Sequence, residues 1–327
     1  MKSGGRSCAP HALQASNDPM APDTINRVDQ LARSRTRSHR GRRKEARIAL
    51  LFLLPAVLLV LVFRIFPLFW GFGISLTSAT STSPGEFIGA GNYLRALDDP
   101  NFHSALANAV VVLLSVPIFV TIPMLLAILI DQGVPGRTFF RSVYFLPAVL
   151  SSVIIGSIFS VVLSFNGNLN ALLKLAGIRG VDWLGYSATA LPVTLAVQCW
   201  STFGMGVLIF LAGLSTVPKD MVEAARLEGA KMWQIWLYVI IPELRPIIEF
   251  SIVITTIGLL TSMFGLIYVL TAGGPGTATT VPEYLIWAAQ GRLNRPAYAA
   301  AISMVLFVIT SVLASLQIRM MSHNAKF

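Results

Sequence analysis

The sequence predicts an all-α integral membrane protein with six transmembrane helices. Of its 327 residues, 54% are hydrophobic and only 12% are charged, whereas charged residues make up about 25% of a typical soluble domain. The mean hydropathy is +0.69. A soluble domain of this length has no means of covering so much apolar surface, but lipid covers it readily.

Apolar runs divide the chain, and each is near the ~20 residues that cross a bilayer. The six runs cover residues 48–72, 107–130, 143–165, 188–214, 247–270 and 297–318. Because lipid offers no hydrogen bonds to the backbone, each crossing segment is a helix or part of a closed barrel. Runs of this length without strand alternation indicate helices.

These runs set the predicted domain organisation. Residues 1–47 form a basic tail, poor in aromatic residues, that is expected to be disordered and cytoplasmic. Residues 48–106 hold the first transmembrane helix and an extracytoplasmic loop, and residues 107–318 form a core of five helices. Residues 319–327 form a second cytoplasmic tail.

The distribution of basic residues predicts which side of the membrane each segment faces. A basic arm precedes the first apolar run and consists of Arg33, Arg35, Arg37, Arg40, Arg42, Arg43, Lys44 and Arg47. With the N-terminus inside, the other inner segments hold Arg137, Arg141, Lys219, Arg226, Lys231, Arg245, Arg319 and Lys326. The outer segments hold only Arg95, Lys174, Arg179, Arg292 and Arg295. The positive-inside rule therefore places both termini in the cytoplasm. The basic arm is interpreted as an anchor on anionic lipid, and nucleic-acid binding by the arm is the less favoured alternative.

A charged segment at about residues 216–242 separates the fourth and fifth apolar runs. Gly229 permits a left-handed turn that most residues resist, so the sequence predicts a helix, a turn and a second, amphipathic helix. Glu223 is spaced to pair with Lys219 or Arg226 along the first helix. Periodicity alone leaves two alternatives open: a hairpin resting on lipid headgroups, or an element that docks on a soluble partner.

Common catalytic and cofactor motifs are absent from the sequence. It has no Gly-x-x-x-x-Gly-Lys-[Ser/Thr] phosphate loop, no Gly-x-Ser-x-Gly elbow and no His-Glu-x-x-His motif. Its four histidines are scattered, and its two cysteines are Cys8 and Cys199. We therefore predict no metal site, no disulfide, no catalytic residue and no cofactor bound by this chain.

Two other classes of membrane protein are alternatives for a chain of this composition. An ion-coupled secondary transporter is expected to show coupling acids or an inverted repeat, and neither is present in the sequence. An integral-membrane enzyme needs a clustered reactive set near the interface, and no such cluster is recognisable.

Within the charged segment, Glu223-Ala224-Ala225 is followed by Glu228-Gly229-Ala230 and, after a hydrophobic stretch, by Pro242. This pattern resembles the EAA loop of the permeases of binding-protein-dependent ABC importers. Glu228 stands where that family more usually has Asp, an exchange that keeps the charge. The resemblance favours the docking alternative for this segment.

Further segments resemble the carbohydrate branch of the same family, the type I permeases similar to the maltose and glycerol-phosphate systems. They are Arg141-Ser142-Val143-Tyr144-Phe145-Leu146-Pro147, Gly167-Asn168-Leu169-Asn170-Ala171-Leu172-Leu173, Asp182-Trp183-Leu184 and Leu270-Thr271-Ala272-Gly273-Gly274-Pro275-Gly276. The resemblance runs from about residue 48 to 318 and implies the type I ABC importer permease fold.

The resemblance implies a function and a set of partners. The chain would form half of the translocation pathway for a carbohydrate or related polyol in the bacterial inner membrane. Its expected partners are a dimer of ABC ATPase subunits that binds ATP-Mg, a second and non-identical permease, and an extracytoplasmic solute-binding protein. ATP hydrolysis is then expected on the ATPase, so this chain is not itself an enzyme.

The resemblance also implies roles for particular residues. The ATPase-coupling residues would be Glu223, Ala224, Ala225, Arg226, Glu228 and Gly229. Solute contacts are expected from polar and aromatic groups near the middle of the fourth and fifth spans, namely Gln198, Trp200, Ser201, Thr202, Thr261, Ser262 and Phe264. The alternative for each of these is a group that only packs helices together.

Overall fold

The computed structural model describes residue 48 and residues 50–131 and 137–324. The predicted basic tail, residues 1–47, lies outside the described residues. Within them the secondary structure is helical, and one isolated bridge between Thr77 and Phe87 is the β pairing present. The predicted all-α class is confirmed.

The helices follow one another through short connections. In chain order the α-helices are α1 (Leu50–Ser75), α2 (Gly91–Asp98), α3 (Pro100–Leu114), α4 (Val116–Asp131), α5 (Arg137–Val149), α6 (Ser152–Val162), α7 (Asn168–Leu175), α8 (Ser187–Leu214), α9 (Lys219–Leu227), α10 (Met232–Ile235), α11 (Ile241–Glu243), α12 (Arg245–Thr261), α13 (Phe264–Leu270), α14 (Pro282–Trp287) and α15 (Pro296–Asn324). Single π-helical stretches occupy Leu61–Ile65, Trp236–Ile240 and Ala288–Arg292.

Six stretches of the described chain can cross a bilayer. Four are single apolar helices or helix runs: α1, α3 continued by α4, α8 and α15. Two more are bent pairs, α5 with α6 at 112° and α12 with α13 at 46°. Counting each pair as one span gives the predicted six. The last helix continues to Asn324, past the predicted boundary at residue 318.

The chain divides into two compact units between Leu68 and Phe69. In the first unit, the described part of α1 is apolar and exposed, with Phe52 82% exposed and Phe63 72% exposed. A helix that is hydrophobic all round and unburied needs lipid as its surroundings. This observation agrees with the prediction of a first transmembrane span.

The second unit holds the packed helical core. In it α4 and α5 lie along α8, and α12 packs against α4, α8 and α15. Phe119, Phe210 and Ile267 are buried in the main cluster. Phe102 and Ile302 belong to a second cluster that joins α2, α3, α14 and α15.

A glycine brings two of these helices into backbone contact. A Cβ atom added at Gly204 of α8 would overlap the carbonyl oxygen of Tyr144 in α5. Small residues let membrane helices approach closely in this way, which strengthens van der Waals packing where water supplies no hydrophobic driving force. The contact fixes α5 against α8.

Candidate functional site

A cavity of about 310 Å³ lies beside α8 and α12. Six polar side chains line it: Gln198, Ser201, Thr202, Ser251, Thr255 and Ser262. The rest of the lining is apolar and includes Phe119 of α4 and Phe210 of α8. None of the lining side chains carries a charge.

The polar lining offers both donors and acceptors of hydrogen bonds. The Ser201 and Thr202 hydroxyls donate to the carbonyl oxygen of Gln198 at 2.8 and 2.9 Å, so their oxygens remain free to accept. The Gln198 carboxamide has no partner among the described residues, and the buried Ser251 hydroxyl has none there either. A hydroxylated ligand in the cavity would satisfy these groups.

The structure brings together some of the predicted pathway residues and separates others. Those around the cavity are Gln198, Ser201, Thr202 and Ser262. Trp200 instead lines an apolar groove and packs edge-on against Phe159, with ring centroids 5.2 Å apart. Thr261 and Phe264 line a separate cavity of about 490 Å³. Contact of any of the seven with solute stays a prediction.

Helical periodicity explains this division. Successive residues turn by about 100° around a helix axis, so Ser201 and Thr202 share a face with Gln198, whereas Trp200 points away. The same rule identifies two cavity residues that were absent from the predicted set. Ser251 and Thr255 are four apart on α12, and grouping polar residues by helical spacing rather than by depth in the span would have found them.

The segment between α8 and α12 folds as the predicted helix, turn and helix. The N–H groups of Gly229 and Ala230 donate to the carbonyl oxygens of Arg226 and Ala225, each at 3.0 Å. These two bonds close a Schellman turn, which requires one left-handed residue, and Gly229 has φ of +81°. A Cβ atom there would meet nothing within 4 Å, so the requirement is conformational and not steric.

The predicted coupling residues lie on the surface of this hairpin. α9 contains no buried residue; Ala225 is half-buried, and the exposed residues are Glu223, Ala224, Arg226, Glu228 and Gly229. Leu227 is 89% exposed although it is apolar. Neither of the two pairings that the spacing of Glu223 allows, with Lys219 or with Arg226, is present as an ion pair in the structure. Water weakens the attraction between exposed charges and leaves their side chains free.

The second arm of the hairpin is anchored in the core. Ile235 is buried, and Trp236 and Ile240 pack against the main cluster, which also contains Phe210 and Leu244. The hairpin is therefore joined to α8 and α12 by the chain itself and to the same core by packing.

A half-buried carboxylate lies at the break between α12 and α13. Oε2 of Glu283, in α14, accepts hydrogen bonds from the backbone N–H groups of Met263 and Phe264 at 2.9 and 3.0 Å. Burial raises the pKa of the Glu283 carboxyl to about 6, and the two bonds act in the opposite direction. Glu283 was not among the predicted residues, because it lies in a connection outside the apolar runs.

Metal-ligating side chains do not cluster in the described chain. In residues 50–131 and 137–324, no three His, Cys, Asp or Glu side chains come close enough to hold an ion. Cys199 is a free thiol in α8, and Cys8 lies outside the described residues. The lack of a bound metal or cofactor stays a prediction.

Comparison with known proteins finds relatives along most of the chain. Residues 102–319 match the family described as "Binding-protein-dependent transport system inner membrane component". The chain is 33% identical over 273 residues to the multiple sugar-binding transport system permease protein MsmF of Streptococcus mutans, covering 82% of this chain and 93% of the relative. It is 31% identical over 269 residues to the trehalose/maltose transport system permease protein MalF of Thermococcus litoralis, covering 81% and 90%.

Solved structures share the fold. A bacterial ABC transporter involved in the import of the acidic polysaccharide alginate matches with a TM-score of 0.76 at 23% identity, covering 87% of this chain and 98% of that chain. A bacterial alginate ABC transporter in complex with an alginate pentasaccharide-bound periplasmic protein matches with a TM-score of 0.77 at 23% identity, covering 86% and 96%. The type I permease fold is thereby confirmed, and the ion-coupled alternative is not supported. The chain belongs to the family of binding-protein-dependent transport system inner membrane components, the membrane-embedded permeases of ABC importers.

Proposed function

We propose that this chain forms half of the translocation pathway for an uncharged carbohydrate or related polyol. The cavity beside α8 and α12 carries this proposal, because its polar groups are amides and hydroxyls and none is charged. Sugar hydroxyls both donate and accept hydrogen bonds, as the free groups of Gln198 and Ser251 do. Phe119 and Phe210 supply apolar surface for the C–H faces of a sugar ring. The sugar permeases among the relatives support the same class of solute.

The exposed hairpin is the proposed link to an ABC ATPase. Its coupling residues are Glu223, Ala224, Ala225, Arg226, Glu228 and Gly229. Small side chains on α9 permit close approach of a partner, and exposed Leu227 gives that partner an apolar surface to cover. ATP-Mg binding and hydrolysis are assigned to the ATPase, so this chain transmits movement and performs no chemistry.

The proposed assembly has further members on both sides of the membrane. One hairpin per chain serves one ATPase, so a dimer of ATPase subunits requires a second permease, which we take to be non-identical. That permease supplies the other half of the pathway. An extracytoplasmic binding protein delivers the solute, and both termini of this chain face the cytoplasm.

An affinity pull-down tests the assembly. The tagged chain is isolated from mildly solubilised native membranes, and its partners are identified by mass spectrometry. An ABC ATPase and a second permease are expected to co-purify. Vesicles from the same cells are expected to take up radiolabelled neutral sugars in an ATP-dependent manner. A chain that purifies alone in several detergents would contradict the assembly. Uptake restricted to charged solutes would contradict the proposed solute class.

A further inference from the structure

The break in the fifth span separates two cavities. Ser262 lines the uncharged cavity beside α8 and α12. The preceding residue, Thr261, lines the second cavity of about 490 Å³, together with Phe264, Glu283 and Trp287. The backbone path at the break therefore shapes one wall of each cavity.

Two backbone N–H groups at the break have a choice of acceptors. In a continuous α-helix, the N–H groups of Met263 and Phe264 would donate to the carbonyl oxygens of Leu259 and Leu260. In this structure both donate to Oε2 of Glu283, at 2.9 and 3.0 Å. The carboxylate replaces the helical acceptors and caps the first turn of α13, as an N-cap side chain does. Glu283 thus favours the broken helix over the straight one.

Glu283 is well placed to hold this geometry. Its carboxylate forms no ion pair within the described residues, so the two N–H groups do not share it with a cation. Hydrogen bonds from N–H to a charged carboxylate are among the stronger ones in proteins. The helix that carries it is fixed by the buried residues Tyr284 and Leu285 and by the contact between Trp287 and Phe264, whose ring centroids are 5.8 Å apart.

We propose that Glu283 is a positioning residue for solute passage: its carboxylate holds the fifth span broken at Ser262 and so keeps the wall of the uncharged cavity in its transporting shape. The inference rests on the proposed function of that cavity. Loss of the acceptor lets α12 continue into α13, which turns Ser262 and its neighbours away from their places in the lining. Glu283 itself lines only the second cavity, so its effect on the first is indirect.

Uptake kinetics test this role in vesicles that contain the whole transporter. The probe is whichever of radiolabelled glucose, maltose, trehalose and sorbitol the unaltered transporter takes up fastest. Glu283→Ala removes the acceptor, Glu283→Gln keeps a carbonyl acceptor at the same reach, and Glu283→Asp withdraws it by one methylene. Glu86→Ala, at an exposed carboxylate of the loop after α1, is the matched control.

For Glu283→Ala we expect the maximal uptake rate per co-purified complex to fall roughly tenfold or more. The half-saturating concentration should stay within about twofold, because the binding protein sets it, and ATPase co-purification should be unchanged. Glu283→Gln should restore most of the rate. A maximal rate for Glu283→Ala equal to that of Glu86→Ala would overturn the inference while leaving the proposed function intact.

Two other outcomes are also decisive. If Glu283→Ala no longer assembles, the comparison uses Glu283→Gln and Glu283→Asp instead. The role of the acceptor is overturned if Glu283→Asp transports as fast as the unaltered transporter while Glu283→Gln is slow. If the unaltered transporter takes up none of the four probes, the proposed solute class fails and this inference fails with it.

Discussion

Replacing Gly229 by alanine tests the coupling role of the hairpin with a single added methyl group. Gly229 has φ of +81°, and a Cβ atom there meets nothing within 4 Å, so the substitution introduces backbone strain without a clash. A left-handed backbone costs a non-glycine residue roughly 1–2 kcal/mol. That free energy corresponds to a roughly 5- to 30-fold change in the population of the native turn.

The chain contains a closely matched control for this substitution. Gly177 ends α7 in the same kind of turn, since the N–H groups of Gly177 and Ile178 donate to the carbonyl oxygens of Lys174 and Leu173 at 3.0 and 2.8 Å. Gly177 has φ of +74°, and a Cβ atom there also meets nothing within 4 Å. Gly177→Ala therefore carries the same strain, on the side of the membrane proposed to face away from the ATPase.

The assay compares uptake and solute-stimulated ATP hydrolysis for the two variants in vesicles with equal amounts of chain. Gly229→Ala should lower both activities, by up to the roughly 5- to 30-fold that the strain permits. Gly177→Ala should leave both near the unaltered level. Equal effects of the two variants would show that turn strain acts through general folding, and would refute the assignment of the hairpin as the coupling element.

Three further substitutions probe packing, the turn at residues 273–280 and the cavity. Gly204→Ala should destabilise the chain by about 1–3 kcal/mol through overpacking against Tyr144, which would lower its melting temperature in detergent. The control is Gly73→Ala, where a Cβ atom meets nothing within 4 Å. Equal melting temperatures of the two variants would contradict the packing argument. Asn108→Ala removes the hydrogen bonds of 2.8 and 2.9 Å that Nδ2–H donates to the carbonyl oxygens of residues 277 and 280. Amide hydrogen exchange of residues 273–280 should therefore accelerate, consistent with a loss of about 1–3 kcal/mol. Unchanged exchange rates would show that the turn is stable without the Asn108 side chain. Gln198→Leu keeps the side-chain size but removes its hydrogen bonding, so solute-stimulated ATP hydrolysis should fall while the ATPase still co-purifies. Solute-stimulated hydrolysis at the unaltered level would exclude the carboxamide from solute recognition.

The sequence predicts well those features that depend on local chemistry or on the solvent. Apolar length predicts the spans because lipid leaves the backbone no other conformation, and Gly229 marks its turn because a left-handed residue is needed there. The sharp bend between α5 and α6 also has a local cause, since the Ser151 hydroxyl accepts from the N–H of Val153 and begins a new helix. That signal was hidden inside a continuous apolar run.

Other features depend on residues that meet only in the folded chain. The break between α12 and α13 is stabilised by Glu283, which lies 20 residues from Met263 along the chain. The requirement for glycine at position 204 comes from the backbone of α5, not from α8 itself. Trp200 and Ser201 have similar depth in the span yet lie on different sides of the helix, so depth alone does not select the residues of a cavity.

The length of α8 has a consequence for how the hairpin is held. Its 28 residues extend about 42 Å at ~1.5 Å per residue, some 12 Å more than the ~30 Å of hydrocarbon in a bilayer. The last eight residues of the helix, from Val207 to Leu214, are apolar, and five of them are buried in protein, so neighbouring helices cover much of this excess length. The end of α8 packs beside Leu244 and Ile247, so under the proposed coupling a displacement of α9 would reach α8 through packed side chains and not through a free helix end.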